Sequence, residues 1–168
     1  DLYGLLKYTV GQMIEQSENI YNFRLFGIYG KYEDYPTKFI SNVCCKAIKN
    51  VGLSMRQNVY FDYLWVEDFC RMIEVFLEKK PQYHTYNMVS GMRISLKEIC
   101  DIVRKISGRD LPVYVCREGT ANEYTASNER FRKECPDFVY TAPEVAIERL
   151  YRWYEQHEEQ IDLYRLLY

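Results

Sequence analysis

The chain predicts an α/β fold on three observations. Short β-rich runs, such as residues 20–26 and 84–89, alternate with segments of helical periodicity. Breakers fall at the junctions, among them Gly27, Gly30, Gly52, Gly91 and Pro112. One helix has both ends written into the sequence: Ser95-Leu-Lys-Glu98 is a capping box, and Gly108 sits where a left-handed residue ends a helix.

In chain order, residues 1–18 contain no proline and read as a helix without its upstream context. Residues 20–26 read as a strand that stops at Gly27, and such strand ends are where α/β sheets place binding loops. Residues 39–50 follow as a helix with Phe39, Val43 and Ala47 on one face, joined by Ile40 as a further candidate. The aromatic and β-branched stretch 58–66 gives way at Glu67-Asp68 to a helix whose Phe69, Ile73, Phe76 and Leu77 recur at helical spacing, its opening carboxylates suiting the helix dipole. A strand at 84–89 leads to the capped helix, with Leu96, Ile99, Val103 and Ile106 inward, and another strand is expected at 112–116. Residues 118–128 are polar and irregular, the kind of long loop that often carries function. Thr141-Ala-Pro-Glu144 reads as a second capping box, opening a long helix striped by Ala146, Leu150, Trp153, His157, Ile161 and Tyr164.

At 168 residues the chain can hold one domain with a core, or form a large piece of something bigger. Its 48% hydrophobic and 27% charged residues exclude a disordered chain. The 17 tyrosines suit half-wet clefts as well as cores, since each joins an apolar ring to a polar tip. A net charge of −2 without Lys/Arg clusters argues against a nucleic acid or anionic membrane partner. No apolar run approaches the roughly 20 residues that span a bilayer, and Asp1-Leu2-Tyr3-Gly4 is not a signal peptide, so a cytoplasmic protein is expected. The six cysteines form no C-x-x-C pair and no metal spacing with His84 or His157. They are expected to be reduced and mostly buried, no metal site is expected, and His157 is read as a packed or solvent-edge residue.

Tyr3 and Lys7 fit Tyr-x-x-x-Lys, a spacing that puts an ammonium and a phenol on one helix face. With 17 tyrosines about one such match arises by composition alone, so context decides. That context is an ordered series: Arg24-Leu-Phe-Gly-Ile-Tyr-Gly30, Phe61-Asp-Tyr-Leu-Trp-Val-Glu-Asp68, Tyr86-Asn-Met-Val-Ser-Gly91 and the Ser95 helix. These segments resemble, in order and spacing, the R-x-F-N-V-Y-G, R-D-F-x-Y-V-x-D, Y-N-V-G-S-G and S-L-x-E-L segments of the extended short-chain dehydrogenases, the NAD-dependent epimerases and dehydratases. The likeness runs from Tyr3 to about Gly108, with a looser continuation through the Trp153-Tyr154 helix.

The resemblance implies the carboxy-terminal part of an NAD(P)-binding Rossmann-like fold plus the smaller α/β substrate-binding domain. Residues 1–30 would end the Rossmann domain, and residues 31–168 would be mainly the sugar-nucleotide region, with some segments returning to the Rossmann sheet. No glycine-rich dinucleotide loop occurs in the chain, so the parent is expected to be the enzyme and this chain to be inactive alone. By the same resemblance Tyr3 is the catalytic acid/base beside the cofactor, and Lys7 both tunes it and holds the ribose of NAD or NADP. Ile28 faces the nicotinamide through its backbone, or is simply a turn residue. Lys38, Asn42 and Arg56 are candidates for contacting the nucleotide of a nucleotide-sugar substrate, against the plainer reading of solvated polar residues. Two departures stand out: Gly27 replaces the family's asparagine, and Phe61 replaces its arginine, whose bidentate phosphate contact a phenyl ring cannot make. Asp62 and Asp68 match the motif and are expected to accept backbone N–H groups. The implied activity is an epimerase, dehydratase or reductase, oxidoreductase and isomerase chemistry being both open. The alternative is a non-catalytic relative that binds a sugar nucleotide or a partner protein. A homodimer of the parent is expected through the Tyr3 helix, where Leu6, Val10, Met13 and Ile14 offer apolar surface.

Overall fold

A computed structural model of the chain describes residues 1–167. The elements are α1 (Leu2–Glu15), β1 (Asn22–Leu25), β2 (Ile28–Tyr29), α2 (Phe39–Ile48), β3 (Leu53–Met55), β4 (Tyr60–Asp62), β5 (Leu64–Trp65), α3 (Val66–Glu78), β6 (Thr85–Met88), β7 (Arg93–Ser95), α4 (Leu96–Ser107), β8 (Val113–Val115), α5 (Glu129–Glu134), α6 (Pro143–Gln156) and α7 (Leu163–Leu167). A 3-10 turn, Glu158–Gln160, joins the last two helices. The α/β class read from the sequence is the class observed.

Among the described residues the strands pair two by two, and three of the pairs are parallel. β1 lies beside β6 with Asn22 opposite Thr85 and Leu25 opposite Met88. β2 lies beside β5, and β3 beside β8. The antiparallel pair joins β4 to β7, with Tyr60 opposite Ser95 and Asp62 opposite Arg93. Parallel neighbours cannot be joined by a tight turn, so each parallel pair encloses a crossover that contains at least one helix. The β2 to β5 crossover carries α2, and the β1 to β6 crossover carries α2 and α3.

Two apolar clusters hold these pieces. In the larger, α2, α4 and α6 meet through Val43, Cys44, Ala47, Ile99, Cys100, Val103, Ala146 and Leu150, none of which exposes any surface. Burying a leucine such as Leu150 is worth roughly 1.5–3 kcal/mol, so this three-helix contact is the main source of cohesion. The smaller cluster joins Leu64, Met72, Tyr86, Met88 and Phe131 beneath the β1–β6 pair.

The α4 helix forms as its sequence dictates. Ser95 Oγ accepts from Glu98 N at 3.2 Å, Glu98 Oε2 accepts from Ser95 N at 2.8 Å, and Gly108 has φ 64°. Other expectations need correction. Thr141 and Glu144 form no capping box: the α6 N-cap is Ala142 without a side-chain bond, and the Thr141 hydroxyl donates instead to Asp68 at 2.8 Å. A carboxylate held in place 73 residues away outcompetes a local partner. In α3 the inward stripe is Asp68, Phe69, Met72, Ile73 and Phe76, whereas Leu77 is 81% exposed. Its direction falls outside the packed arc. The α6 stripe stops at Gln156, and Tyr164 on α7 is 69% exposed. Nearly all of α2 is buried, not one face, because α4 and α6 both press on it. Strand β7 and helix α5 had no clear period to announce them. All six cysteines are free: Cys44, Cys45 and Cys100 are buried, Cys135 is half-buried, and Cys70 and Cys116 are exposed. Among the described residues no His/Cys/Asp/Glu group could hold a metal ion, and no helix is long and apolar enough to cross a membrane.

Candidate functional site

Helix α1 positions the Tyr3 and Lys7 pair. Asp1 caps it, its Oδ1 accepting from Gly4 N at 2.6 Å, so the first turn is formed at the motif itself. The i, i+4 spacing then brings Lys7 Nζ to 5.5 Å from the centre of the Tyr3 ring. Tyr3 is 70% exposed and Lys7 is exposed. No carboxylate pairs with Lys7 among the described residues, so phenol and ammonium are both open to whatever lies against this face.

A cleft of about 390 Å³ opens beside β2. Ile28 and Lys38 both line it, with Gly27, Glu33, Phe61 and Tyr63. Thus a residue nominated for the cofactor and one nominated for the substrate share one cavity. Lys38 is there because it immediately precedes α2, in extended backbone at the helix N-cap. Tyr3 and Lys7 do not line this cleft, and neither do Asn42 and Arg56. Asn42 Nδ2 donates to the Pro36 carbonyl at 3.2 Å, bracing the turn before α2. Arg56 is exposed just past β3. A larger hollow of about 430 Å³ lies along β1 and β6, lined by Glu15, Arg24, Thr85, Asn87 and Arg130 among others. It contains none of the nominated residues Tyr3, Lys7, Ile28, Lys38, Asn42 and Arg56, so the β2 cleft, which holds two of them, is the better candidate.

Glu33 and Tyr63 are cleft residues that sequence reasoning missed. Glu33 is half-buried and accepts a short hydrogen bond from Ser41 Oγ. Burial raises its carboxyl above the usual range, against the lowering effect of Ser41 and of Lys38. Burial likewise raises the Tyr63 phenol, and the Glu33 charge adds to it. Both protons are therefore held more tightly than in water. The run Tyr32-Glu33-Asp34-Tyr35 directly after the Gly30 turn was the available signal.

Both departures from the motif have local causes. A Cβ at Gly27 would stand 2.9 Å from Tyr63 Cδ1, so the ring fills the space an asparagine would need. Phe61 stacks on Tyr63 at 5.0 Å and meets Tyr124 edge-on at 5.9 Å. The cleft wall is aromatic where the resemblance leads one to expect guanidinium. Asp62 and Asp68 act as expected. Asp62 takes the N–H groups of Ser90 and Gly91, and Asp68 takes that of Thr141.

The model of the NAD dependent epimerase/dehydratase family matches residues 1–88, more than half of the chain, and the chain belongs to that family. Among solved structures, dTDP-glucose 4,6-dehydratase from Bacillus anthracis, in complex with NAD, is similar at 24% identity and a TM-score of 0.68, over 82% of this chain and 45% of that one. UDP-glucuronic acid 4-epimerase from Bacillus cereus, in complex with UDP-glucuronic acid and NAD, is similar at 18% identity and a TM-score of 0.69, over 82% and 46%. UDP-N-acetylglucosamine 4-epimerase from Bacillus cereus is similar at 19% identity and a TM-score of 0.68, over 86% and 52%. These likenesses establish the fold, that of a Rossmann-like epimerase/dehydratase. The chain spans about half the length of the solved structures it matches. A search of curated proteins finds no match.

Proposed function

We propose that this chain is the carboxy-terminal half of an NAD(P)-dependent nucleotide-sugar epimerase, dehydratase or reductase, with the dinucleotide loop supplied from outside these 168 residues. The observation that carries the reading is the Tyr3/Lys7 pair: a phenol and an ammonium on one exposed helix face, with Nζ 5.5 Å from the ring centre. In this reading residues 1–30 close the Rossmann domain and residues 31–168 are mainly the substrate region. NAD or NADP, when bound, supplies hydride transfer.

The chain's own residues supply proton handling and binding. Tyr3 exchanges a proton with a sugar hydroxyl as general acid/base. Lys7 holds the ribose hydroxyls with its three donors. Ile28, whose strand end opens into the β2 cleft, offers backbone to the nicotinamide side. Lys38, in the same cleft, gives a point charge for a nucleotide phosphate, and Asn42 and Arg56, which do not line the cleft, are the further candidates for contacting the nucleotide. Support comes from family membership and from neighbours of the same fold crystallised with NAD and a nucleotide sugar.

The test uses the full-length protein. Tyr3→Phe is expected to abolish turnover while cofactor titration stays unchanged, and Lys7→Ala to weaken both. Wild-type turnover in Tyr3→Phe would overturn the assignment. Loss of cofactor binding in Tyr3→Phe, with turnover restored at saturating cofactor, would make Tyr3 a binding residue only.

A further inference from the structure

Glu33 also lines a second, smaller cavity of about 200 Å³. The rest of its wall is largely aromatic, drawn from the turn after β2 and from the end of α6. Tyr32 meets Trp153 edge-on at 5.0 Å, Trp153 stacks on His157 at 4.6 Å, and Tyr35 meets Tyr154 edge-on at 6.3 Å. His157 Nδ1–H donates to the Trp153 carbonyl at 2.7 Å, which fixes the imidazole against the indole.

One feature of this cavity is unfavourable by itself. Tyr32 has φ 68° and is 85% exposed. A bulky residue in the left-handed region costs of order 1–3 kcal/mol, and persists where its surroundings hold it for a purpose. Here the unfavourable backbone places the ring on Trp153 instead of burying it.

The charge pattern has one sign. No Lys or Arg lines the cavity, and Glu33 is the carboxylate in its wall. Glu33 makes no ion pair among the described residues. Of the nearby cations, Arg165 pairs with Asp34 at 3.3 Å across the Tyr35 ring, Lys49 pairs with Glu158 at 3.1 Å, and Lys31 lines a separate hollow that Trp153 also borders. Lys38 acts on Glu33 through space, from the β2 cleft. Electron-rich ring faces with a carboxylate that makes no ion pair attract an organic cation, and aromatic cages of this kind recognise quaternary ammonium groups. The volume lies below the roughly 300–1,000 Å³ of sites for drug-sized ligands, which suits a headgroup of a few carbons and excludes a nucleotide.

We propose that this cavity binds a small alkylammonium cation, with its headgroup against Tyr32 and Trp153 and its charge answered by Glu33. The site is separate from the β2 cleft and does not rest on the catalytic assignment. Because Glu33 lines both cavities, occupancy here would also be felt by the carboxylate in the cleft.

The test titrates the intact protein with choline and with its neutral isostere 3,3-dimethylbutan-1-ol, following tryptophan fluorescence and the ligand methyl signals by NMR. Choline is expected to bind saturably and the neutral alcohol roughly tenfold more weakly or worse. Tyr32→Gly, which accepts the positive φ without strain, and Glu33→Gln should each weaken choline by about threefold or more. Equal affinity for the alcohol would overturn the proposal, as would unchanged choline binding in both variants or no saturation by choline.

Discussion

Asp62 Oδ1 accepts two hydrogen bonds from Ser90, one from the backbone N–H at 2.9 Å and one from Oγ at 2.7 Å. The end of β4 is thereby tied to the turn after β6, and Gly91 N adds a third bond to the same carboxylate at 3.0 Å. The wall that carries Phe61 and Tyr63 is set by this knot.

Replacing Asp62 by alanine leaves two N–H groups without their acceptor and is expected to cost roughly 2–3 kcal/mol in urea unfolding. The pH dependence follows from the direction of its shift. Burial raises the Asp62 carboxyl above its ordinary 3.8, outweighing the Ser90 and Gly91 hydrogen bonds. Between the ordinary and the raised value the folded state holds the proton more tightly than the unfolded state does. The contribution is fully present below 3.8 and is lost as pH rises through the raised value. Wild type should therefore lose stability relative to Asp62→Asn as pH rises across that window. A difference that grows in the opposite direction would refute the assignment.

The contact between Asp68 and Thr141 makes a sharper comparison. Thr141 gives both its N–H and its hydroxyl to this carboxylate, each at 2.8 Å, while Glu144 makes no capping bond. Thr141→Val should cost about 1 kcal/mol, the worth of one hydrogen bond, and Glu144→Ala should stay within about 0.5 kcal/mol. Thermal unfolding of the two variants separates them. A larger loss in Glu144→Ala would mean that the capping box forms after all.

Gly27→Asn restores the residue that relatives carry and should still destabilise. The added Cβ meets Tyr63 Cδ1 at 2.9 Å and Cε1 at 3.1 Å, and the ring is wedged against Phe61. Overpacking of this kind costs roughly 1–3 kcal/mol. Tyr63→Ala in the same chain should recover part of that loss by opening the space, so a double-mutant cycle by urea unfolding is expected to show coupling between positions 27 and 63. Strict additivity would argue against the contact.

What the sequence makes legible is local. The α4 helix is readable because Ser95, Glu98 and Gly108 act over one or two turns, and the Tyr3/Lys7 face is readable because helical periodicity alone creates it. The α6 start is misread because its Thr141 answers to Asp68, across 73 residues of chain. Leu77 is misassigned because the hydrophobic pattern gives a direction without saying how wide the covered arc is. The pairing of β1 with β6 leaves no mark in either strand alone. The candidate site divides in the same way. Ile28 and Lys38 come from motif and order, whereas the place of Glu33 between two cavities depends on α2 and on the end of α6 folding against one turn.

The last expectation concerns α1 as a surface. Leu2 (72%), Leu5 (60%), Leu6 (57%), Val10 (51%) and Met13 (68%) are all more than half exposed, and among its residues only Gly11 is buried. Apolar side chains gathered on one element form the kind of contiguous patch that drives association, and burying a few of them together would be worth several kcal/mol at roughly 1.5–3 kcal/mol each. The 168-residue chain by itself should therefore show a concentration-dependent mass in analytical ultracentrifugation. Leu6→Glu with Met13→Glu should return it to monomer. Because neither side chain packs in the two core clusters, the melting temperature of the variant should stay close to that of the parent chain. In the full-length protein the same double change discriminates between two covers for this face. Loss of a dimer with the fold retained would assign α1 to a second copy, as the homodimer reading expects, whereas loss of folding would assign it to the dinucleotide-binding half that the proposed function calls for. A full-length protein that remains both folded and dimeric would rule out α1 as the dimer interface.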